Sequence, residues 1–396
     1  MRILLTANAS YAPPRGGATR SNLLWLEFMA ARGHPCRVVA GGGESVVPGA
    51  DSRVEIHAVA ERARHAHELR RQIQEFQPDW VLVSSEDLGH VLLREAQHSA
   101  AGRVVYLAHT PQFFPFGPAS WNPDPGATAL VTAAAGIVAI GHHTGAYIRH
   151  HAGREAAVIH PPVYGSGPFP NLAAYDAGLV TMVNPCAVKG ISIFLALAER
   201  FPQCGFGALP GWGTTSADRA QLAACPNVEI LPGCRHITDF LGRSRILLMP
   251  SLWYEGFGLI AMEAMLHGIP VIASDSGGLV EAKMSTPFVV PTPGIQRYQP
   301  VFDEHALPKP VIGPLNLEPW ADTLRALLGD RELYEQVSAA SRTAALQFVG
   351  GLDAGRMLAY LQSLEPADAA PERPSLANLS AERRALLLRK ARAWKP

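Results

Sequence analysis

"RILLMPSLWYEGFGLIAMEAMLHGIPVIAS", Arg245 to Ser274, decides how this chain is read. "RILLMPS" is a short, continuously apolar run, the pattern of a strand covered on both faces. "LIAMEAMLHG" is helical in character and is closed by Gly268 and Pro270, after which "PVIAS" starts a second strand. Strand, turn, helix and strand make a parallel βαβ unit. Glu255 then falls in the turn at the carboxyl edge of the sheet, where such folds bind ligands. Gly256 and Gly258 permit close backbone approach, and with Phe257 and Leu259 they set free N–H groups at a helix start, a site suited to phosphate. Glu263 borders the packed face of that helix, where a half-buried carboxylate needs donors. A ribose 2′,3′-diol supplies two. Glu255 would repel a diphosphate and is expected to meet the neutral hydroxyls of a sugar. Each glutamate taken singly also fits a plain role, as a complement to the helix dipole or as a solvated helix residue.

The same alternation runs outward in both directions. "RILLTA", "CRVVAG", "DWVLVSS", "RVVYLAH" and "GIVAIG" precede it, with helical patterns over Ser21–Arg32 and Arg62–Phe76. "LVTMV", "GFGAL" and "NVEIL" continue the pattern after "PPVYGSGPFPNLAAYDAG" (Pro161–Gly178), whose proline and glycine mark a linker. Two Rossmann-like, doubly wound α/β domains are expected, with a cleft between them. Their spans are set at 1–170 and 171–348. A helix over 349–365 is expected to pack back on the first domain, and 366–396 to form a linker and helical tail. The stretch 289–314 is proline-punctuated, lacks periodicity and reads as a long functional loop.

With 396 residues, 48% of them hydrophobic, the chain has material for two sizeable cores. Thirty-four basic residues balance thirty-four acidic ones, so no global field recruits nucleic acid. Cys36, Cys186, Cys204, Cys225 and Cys234 are odd in number and lack paired spacing, which points to a reducing compartment, the cytoplasm. No stretch reaches the roughly 18 apolar residues of a membrane-spanning helix.

Taken together, Ser251–Ala282, with its two glutamates separated by seven residues and its later Gly277-Gly278 turn, resembles the signature of retaining GT-B glycosyltransferases of family four. That resemblance implies the GT-B architecture, a nucleotide-diphosphate sugar as donor substrate, transfer with retention at the anomeric carbon, and no cofactor. Lys189, in "VNPCAVKGIS", stands where the family places its diphosphate-binding lysine. Asn184 stands five residues earlier, where the family usually has arginine, and supplies a neutral donor at most. "YAPPRGGATRSN" is similar to the family's glycine loop, with Gly16 and Gly17 over the donor phosphates. His109 matches the family's cleft histidine, which approaches the donor sugar, and joins Glu255 as the expected catalytic pair.

No metal is expected. The sequence holds no D-x-D pair, and His142, His143, His150 and His151 in "GHHTGAYIRHH" lack a partner motif. The acceptor is a small molecule, peptide or polyketide: "LSAERRALLLRKAR" resembles linker helices beside condensation domains of modular peptide synthetases, which implies docking through the C-terminal tail. The competing readings are a phosphorylase or nucleotide-sugar epimerase of the same fold, and a non-catalytic partner of another transferase.

Overall fold

The computed structural model describes residues 1–366 except 15, 50–52, 88 and 235; the tail motif 379–392 lies outside the described residues. The first domain is a parallel sheet of β1 (Ile3–Ala7), β2 (Cys36–Gly41), β3 (Glu55–Val59), β4 (Trp80–Ser84), β5 (Val104–Ala108), β6 (Gly136–Ala139) and β7 (Ala157–Val158), in the order β3-β2-β1-β4-β5-β6-β7. The second holds β8 (Leu179–Val183), β9 (Phe206–Leu209), β10 (Val228–Ile230), β11 (Ser244–Met249), β12 (Val271–Ser274) and β13 (Val289–Val290), in the order β10-β9-β8-β11-β12-β13. Once renumbered, the two orders agree over six strands, β7 being an added edge strand of the first sheet, and both are the doubly wound pattern. Strands β1, β4 and β5 are buried along their whole length, because helices cover both faces of the sheet.

Residues 161–178 carry no regular element, as the proline-rich composition implies. The segment read as a loop is different: β14 (Ile295–Phe302) and β15 (Pro308–Ile312) form an antiparallel hairpin, a two-stranded sheet of its own. Its strands are mostly half-buried or exposed, so apolar alternation never had to develop. Pro300, Pro308 and Pro310 are tolerated because each strand has a free edge.

Beyond the second sheet run helices Glu318–Gly329, Arg331–Gly350 and Arg356–Ser363. The last returns to the first domain, where Tyr360 Oη donates to Ile137 O at 3.4 Å and Tyr360 packs over Gly136. One apolar core runs through both domains, joining Leu5 and Trp25 of the first to Met262 and Leu266 of the second. Phe257 stacks on Phe348, with ring centroids 5.5 Å apart, and His160 meets both rings edge-on.

Candidate active site

Each sheet reverses its winding once, between β1 and β4 in the first domain and between β8 and β11 in the second. The loops leaving those strands face one another across a cavity of about 700 Å³. Gly16, Gly17, His109, Asn184, Lys189, Glu255, Gly256, Phe257, Gly258, Leu259 and Glu263 all line it. Four segments remote in sequence are thereby brought to one place.

On the second domain, Glu255 is nearly buried and has two donors: Lys189 Nζ, and Ser251 Oγ at 2.5 Å. Sequence reading gave Lys189 to a phosphate and Glu255 to a sugar as independent residues; the fold instead couples them as an ion pair. Lys189 Nζ also lies 4.2 Å from the Trp253 ring centroid. An ammonium has three donors, so an anion at the turn still meets hydrogens that Glu255 does not take. Asn184 sits in the left-handed region (φ 56°), with Oδ1 accepting from Gly213 N–H at 2.8 Å. Its Nδ2 is buried without a partner, although the residue lines the cavity.

Glu263 is held by a residue to which sequence reading gave no role. Arg20, in the helix Gly17–Ala30 of the opposite domain, donates Nη1 to Glu263 Oε1 at 3.1 Å and Nη2 to Val163 O at 2.9 Å. Burial raises the Glu263 pKa, and Arg20 opposes that shift. Arg20 lies three residues past Gly17, so the helix period brings it toward the same side as the glycine turn; that is the one signal in the sequence.

On the first domain, Gly16 has φ 91° and Gly17 opens the helix. A Cβ on Gly17 would lie 2.8 Å from Leu259 Cδ1, so the glycine loop rests directly against the start of the Leu259 helix. His109 is almost wholly buried. Its Nε2 lies 2.9 Å from Asn22 Oδ1, an acceptor, so Nε2 carries the proton, and Nδ1 has no partner. Burial pushes its pKa down to about 3, so the imidazole is neutral. Its carbonyl oxygen meets the second domain, where a Cβ on Gly256 would lie only 2.0 Å away.

An aromatic wall closes the cavity, and sequence reading missed it. Trp253 lies 5.4 Å from Trp212 and 5.8 Å from Trp121; Trp121 lies 5.0 Å from Phe113 and 5.7 Å from Tyr298 of the hairpin. His305, Ala306 and Leu307, at the hairpin tip, also line the cavity. Tryptophans scattered over three loops carry no periodic signal.

Outside the cavity lining, the histidine cluster of the sequence is regrouped. His142 joins His160 and Glu281, their ligand-type atoms within 4.8 Å of one another. Glu281 accepts from His160 Nε2 at 2.6 Å and from His143 N–H at 3.1 Å, which makes it a clasp between domains.

Two Rossmann-like domains with facing switch points define the GT-B class of fold. Residues 178–296, within the second domain, match the family described as Glycosyl transferases group 1. Among solved structures, the chain is similar to the lipopolysaccharide glycosyltransferase WaaG, with TM-score 0.67 and 17% identity over 91% of this chain and all of that one. It is also similar to Anabaena HepE in complex with UDP and glucose, with TM-score 0.65 and 16% identity over 92% of this chain and all of that one. Among curated proteins, an uncharacterised 42.6 kDa protein in the cps region of Klebsiella pneumoniae is 33% identical over 99 residues, 25% of this chain. A D-inositol 3-phosphate glycosyltransferase of Jonesia denitrificans is 34% identical over 116 residues, 29% of this chain. The matched segments span 26% and 22% of those two relatives.

Proposed function

We propose that the protein is a glycosyltransferase that moves a hexosyl group from a uridine diphosphate sugar to an acceptor hydroxyl, with retention of anomeric configuration. The observation that carries this reading is the Glu255–Glu263 turn, open to the interdomain cavity with Lys189 beside it. UDP and glucose are bound by HepE, of the same fold, and this supports the choice of donor.

In this reading the N–H groups of Gly258 and Leu259 and Lys189 Nζ face the diphosphate and stabilise the charge that grows there as it leaves, with Asn184 part of the same wall. Glu263 and Arg20 together bind the ribose: the carboxylate accepts from the diol. Glu255, fixed by Lys189 and Ser251, accepts from sugar hydroxyls. Glu255 and Glu263 lie on one turn and its helix, so they do not bracket the anomeric carbon as the paired carboxylates of a glycosidase do. Catalysis then rests on positioning and on exclusion of water by the closed domains. We infer metal-independent transfer from the lack of a D-x-D pair, and place the protein in the cytoplasm, where nucleotide sugars are made. All five cysteines are free, and among the described residues no helix is long and apolar enough to cross a membrane.

The similarity to a D-inositol 3-phosphate glycosyltransferase favours a small polyhydroxylated acceptor over the peptide or polyketide one. The segment that suggested the latter, together with docking to a synthetase, lies outside the described residues.

A thermal-shift panel of UDP-, GDP- and ADP-sugars tests the donor. UDP-sugars are expected to raise the melting temperature most, since a ligand that binds only the folded state stabilises it by mass action. Equal response to all three, or to none, rejects the reading. Proton NMR of the product anomer decides retention, and activity undiminished by EDTA decides metal independence.

A further inference from the structure

Outside the cavity, three ligand-type side chains meet where the two domains touch. His142 opens the helix His142–Ala152 of the first domain, and His160 stands two residues past β7 of the same domain. Glu281 belongs to the short helix Leu279–Ala282 of the second. Two imidazole nitrogens and a carboxylate oxygen thus lie within 4.8 Å of one another, and among the described residues this is the one group of three that could hold a metal ion.

The group is mounted before any ion arrives. The His160 ring stands edge-on to Phe257 and Phe348, at 5.2 and 5.1 Å between centroids, and those two rings stack on each other, so its orientation is fixed by packing. Glu281 Oε1 faces His160 Nε2 at 2.6 Å, while Oε2 accepts from His143 N–H at 3.1 Å. A carboxylate held from behind by an amide is oriented as metal-ligating carboxylates are. The His160 and Glu281 side chains are only 12% and 10% exposed, whereas His142 is exposed. Two ligands therefore form a walled floor, and the third stands on the side from which an ion and a water molecule enter. An ion pair accounts for His160 and Glu281 but not for the approach of the His142 imidazole, 5.6 Å from that of His160.

We propose that His142, His160 and Glu281 bind a zinc ion that clasps the two domains together. Two imidazoles, one carboxylate and a water make a four-coordinate zinc set, whereas magnesium and calcium take oxygen ligands. The ion replaces the proton shared by His160 Nε2 and Glu281 Oε1, and that proton leaves to water. Ligand atoms of a tetrahedral zinc site stand about 3.3 Å apart, so the close pair opens slightly and the exposed His142 swings inward. The histidines come from one domain and the glutamate from the other, so the ion ties the domains only where they meet. None of the three residues lines the cavity, and the clasp takes no part in the transfer step. It is nevertheless joined to the donor turn: Thr144, two residues past His142, donates to Gly256 O at 3.0 Å. The proposal stands independently of the donor reading above.

The test is calorimetric titration of tag-free protein, treated with EDTA and dialysed into metal-free buffer, with zinc chloride and separately with magnesium chloride. The visible spectrum with cobalt(II) and the melting temperature with and without zinc are recorded alongside. Wild type is compared with His142→Ala, Glu281→Gln and His150→Ala; His142 and His150 are exposed, so their substitution spares the fold. Wild type is expected to bind one zinc per chain in the micromolar range or tighter, to ignore magnesium, and to give the visible band of four-coordinate cobalt. His142→Ala and Glu281→Gln are each expected to weaken zinc binding at least about tenfold and to lose the rise in melting temperature, while His150→Ala keeps both. Absence of zinc binding in wild type overturns the proposal, and so does an equal response to magnesium. Wild-type affinity in His142→Ala overturns it by placing the ion elsewhere, as does an equal loss in His150→Ala. Wild-type affinity in Glu281→Gln overturns the clasp, because that residue alone comes from the second domain.

Discussion

The carboxylates of the cavity differ in what meets them. Glu263 is raised in pKa by burial, so its ionised form costs stability at any pH above the ordinary carboxylate range, and Arg20 only partly offsets that cost. Glu263→Gln is therefore expected to raise the melting temperature at pH 7 and weaken UDP binding at least tenfold; both are read from one thermal-shift series with and without UDP. Lys189→Ala removes a charge-assisted donor and leaves Glu255 buried with only Ser251, a loss on the order of 2 kcal/mol in UDP affinity by calorimetry. His109→Ala is expected to slow transfer more than it weakens UDP binding. Because the imidazole is neutral from pH 5 to 9, it contributes no limb to the pH profile. The sequence exposed the need of Glu263 for donors, since a carboxylate beside Met262 and Leu266 on a packing face must find some. It did not expose Arg20, which comes from 243 positions away.

Among the elements, the hairpin β14–β15 was the least legible and is the most separable. It is hydrogen-bonded to neither large sheet and leaves Val301 and Phe302 exposed at 56% and 64%. Replacing 296–311 with a short glycine-serine link is expected to lower the melting temperature by only a few degrees. It uncovers Trp121, which Tyr298 now covers, and shifts tryptophan emission to the red. A cooperative loss of the whole fold would show that the hairpin belongs to the core. The core strands were legible for the opposite reason: β4, β5 and β11 sit between helices, so burial on both faces wrote their apolar runs into the sequence.

At the scale of the whole molecule, the two domains meet through side-chain hydroxyls on backbone carbonyls and one close approach of backbone to backbone. Thr144 Oγ1 donates to Gly256 O at 3.0 Å, Tyr254 Oη donates to His143 O at 3.1 Å, and Gly256 leaves no room for a Cβ beside His109 O. Gly256→Ala must part the domains at that point. A larger radius of gyration by small-angle scattering and a fall in kcat/KM of about 100-fold are expected. The Glu281 clasp adds an acid dependence. Burial works to raise the Glu281 pKa, but the hydrogen bonds from His160 and from the His142 and His143 amides outweigh it and hold the carboxyl below its ordinary value. A depressed carboxylate stabilises above its unfolded pKa and loses that contribution as pH falls through the folded one. Interdomain stability is thus expected to fall below about pH 4, and Glu281→Gln to abolish that dependence; calorimetric scans from pH 3 to 7 check it.

By itself the sequence determined the two doubly wound halves, the linker between them, and the glycine-flanked turn with its pair of glutamates. Those are local facts, written in apolar runs, helix closures and turn residues over a few tens of positions. Only the tertiary structure decided that Lys189 pairs with Glu255, that Arg20 crosses the cleft to Glu263, that His109 is neutral, and that His142 meets His160 and Glu281. Ion pairing and desolvation depend on which side chains end up within a few ångströms of one another and how much water remains. That is settled by how two domains close, and no periodicity along the chain records it.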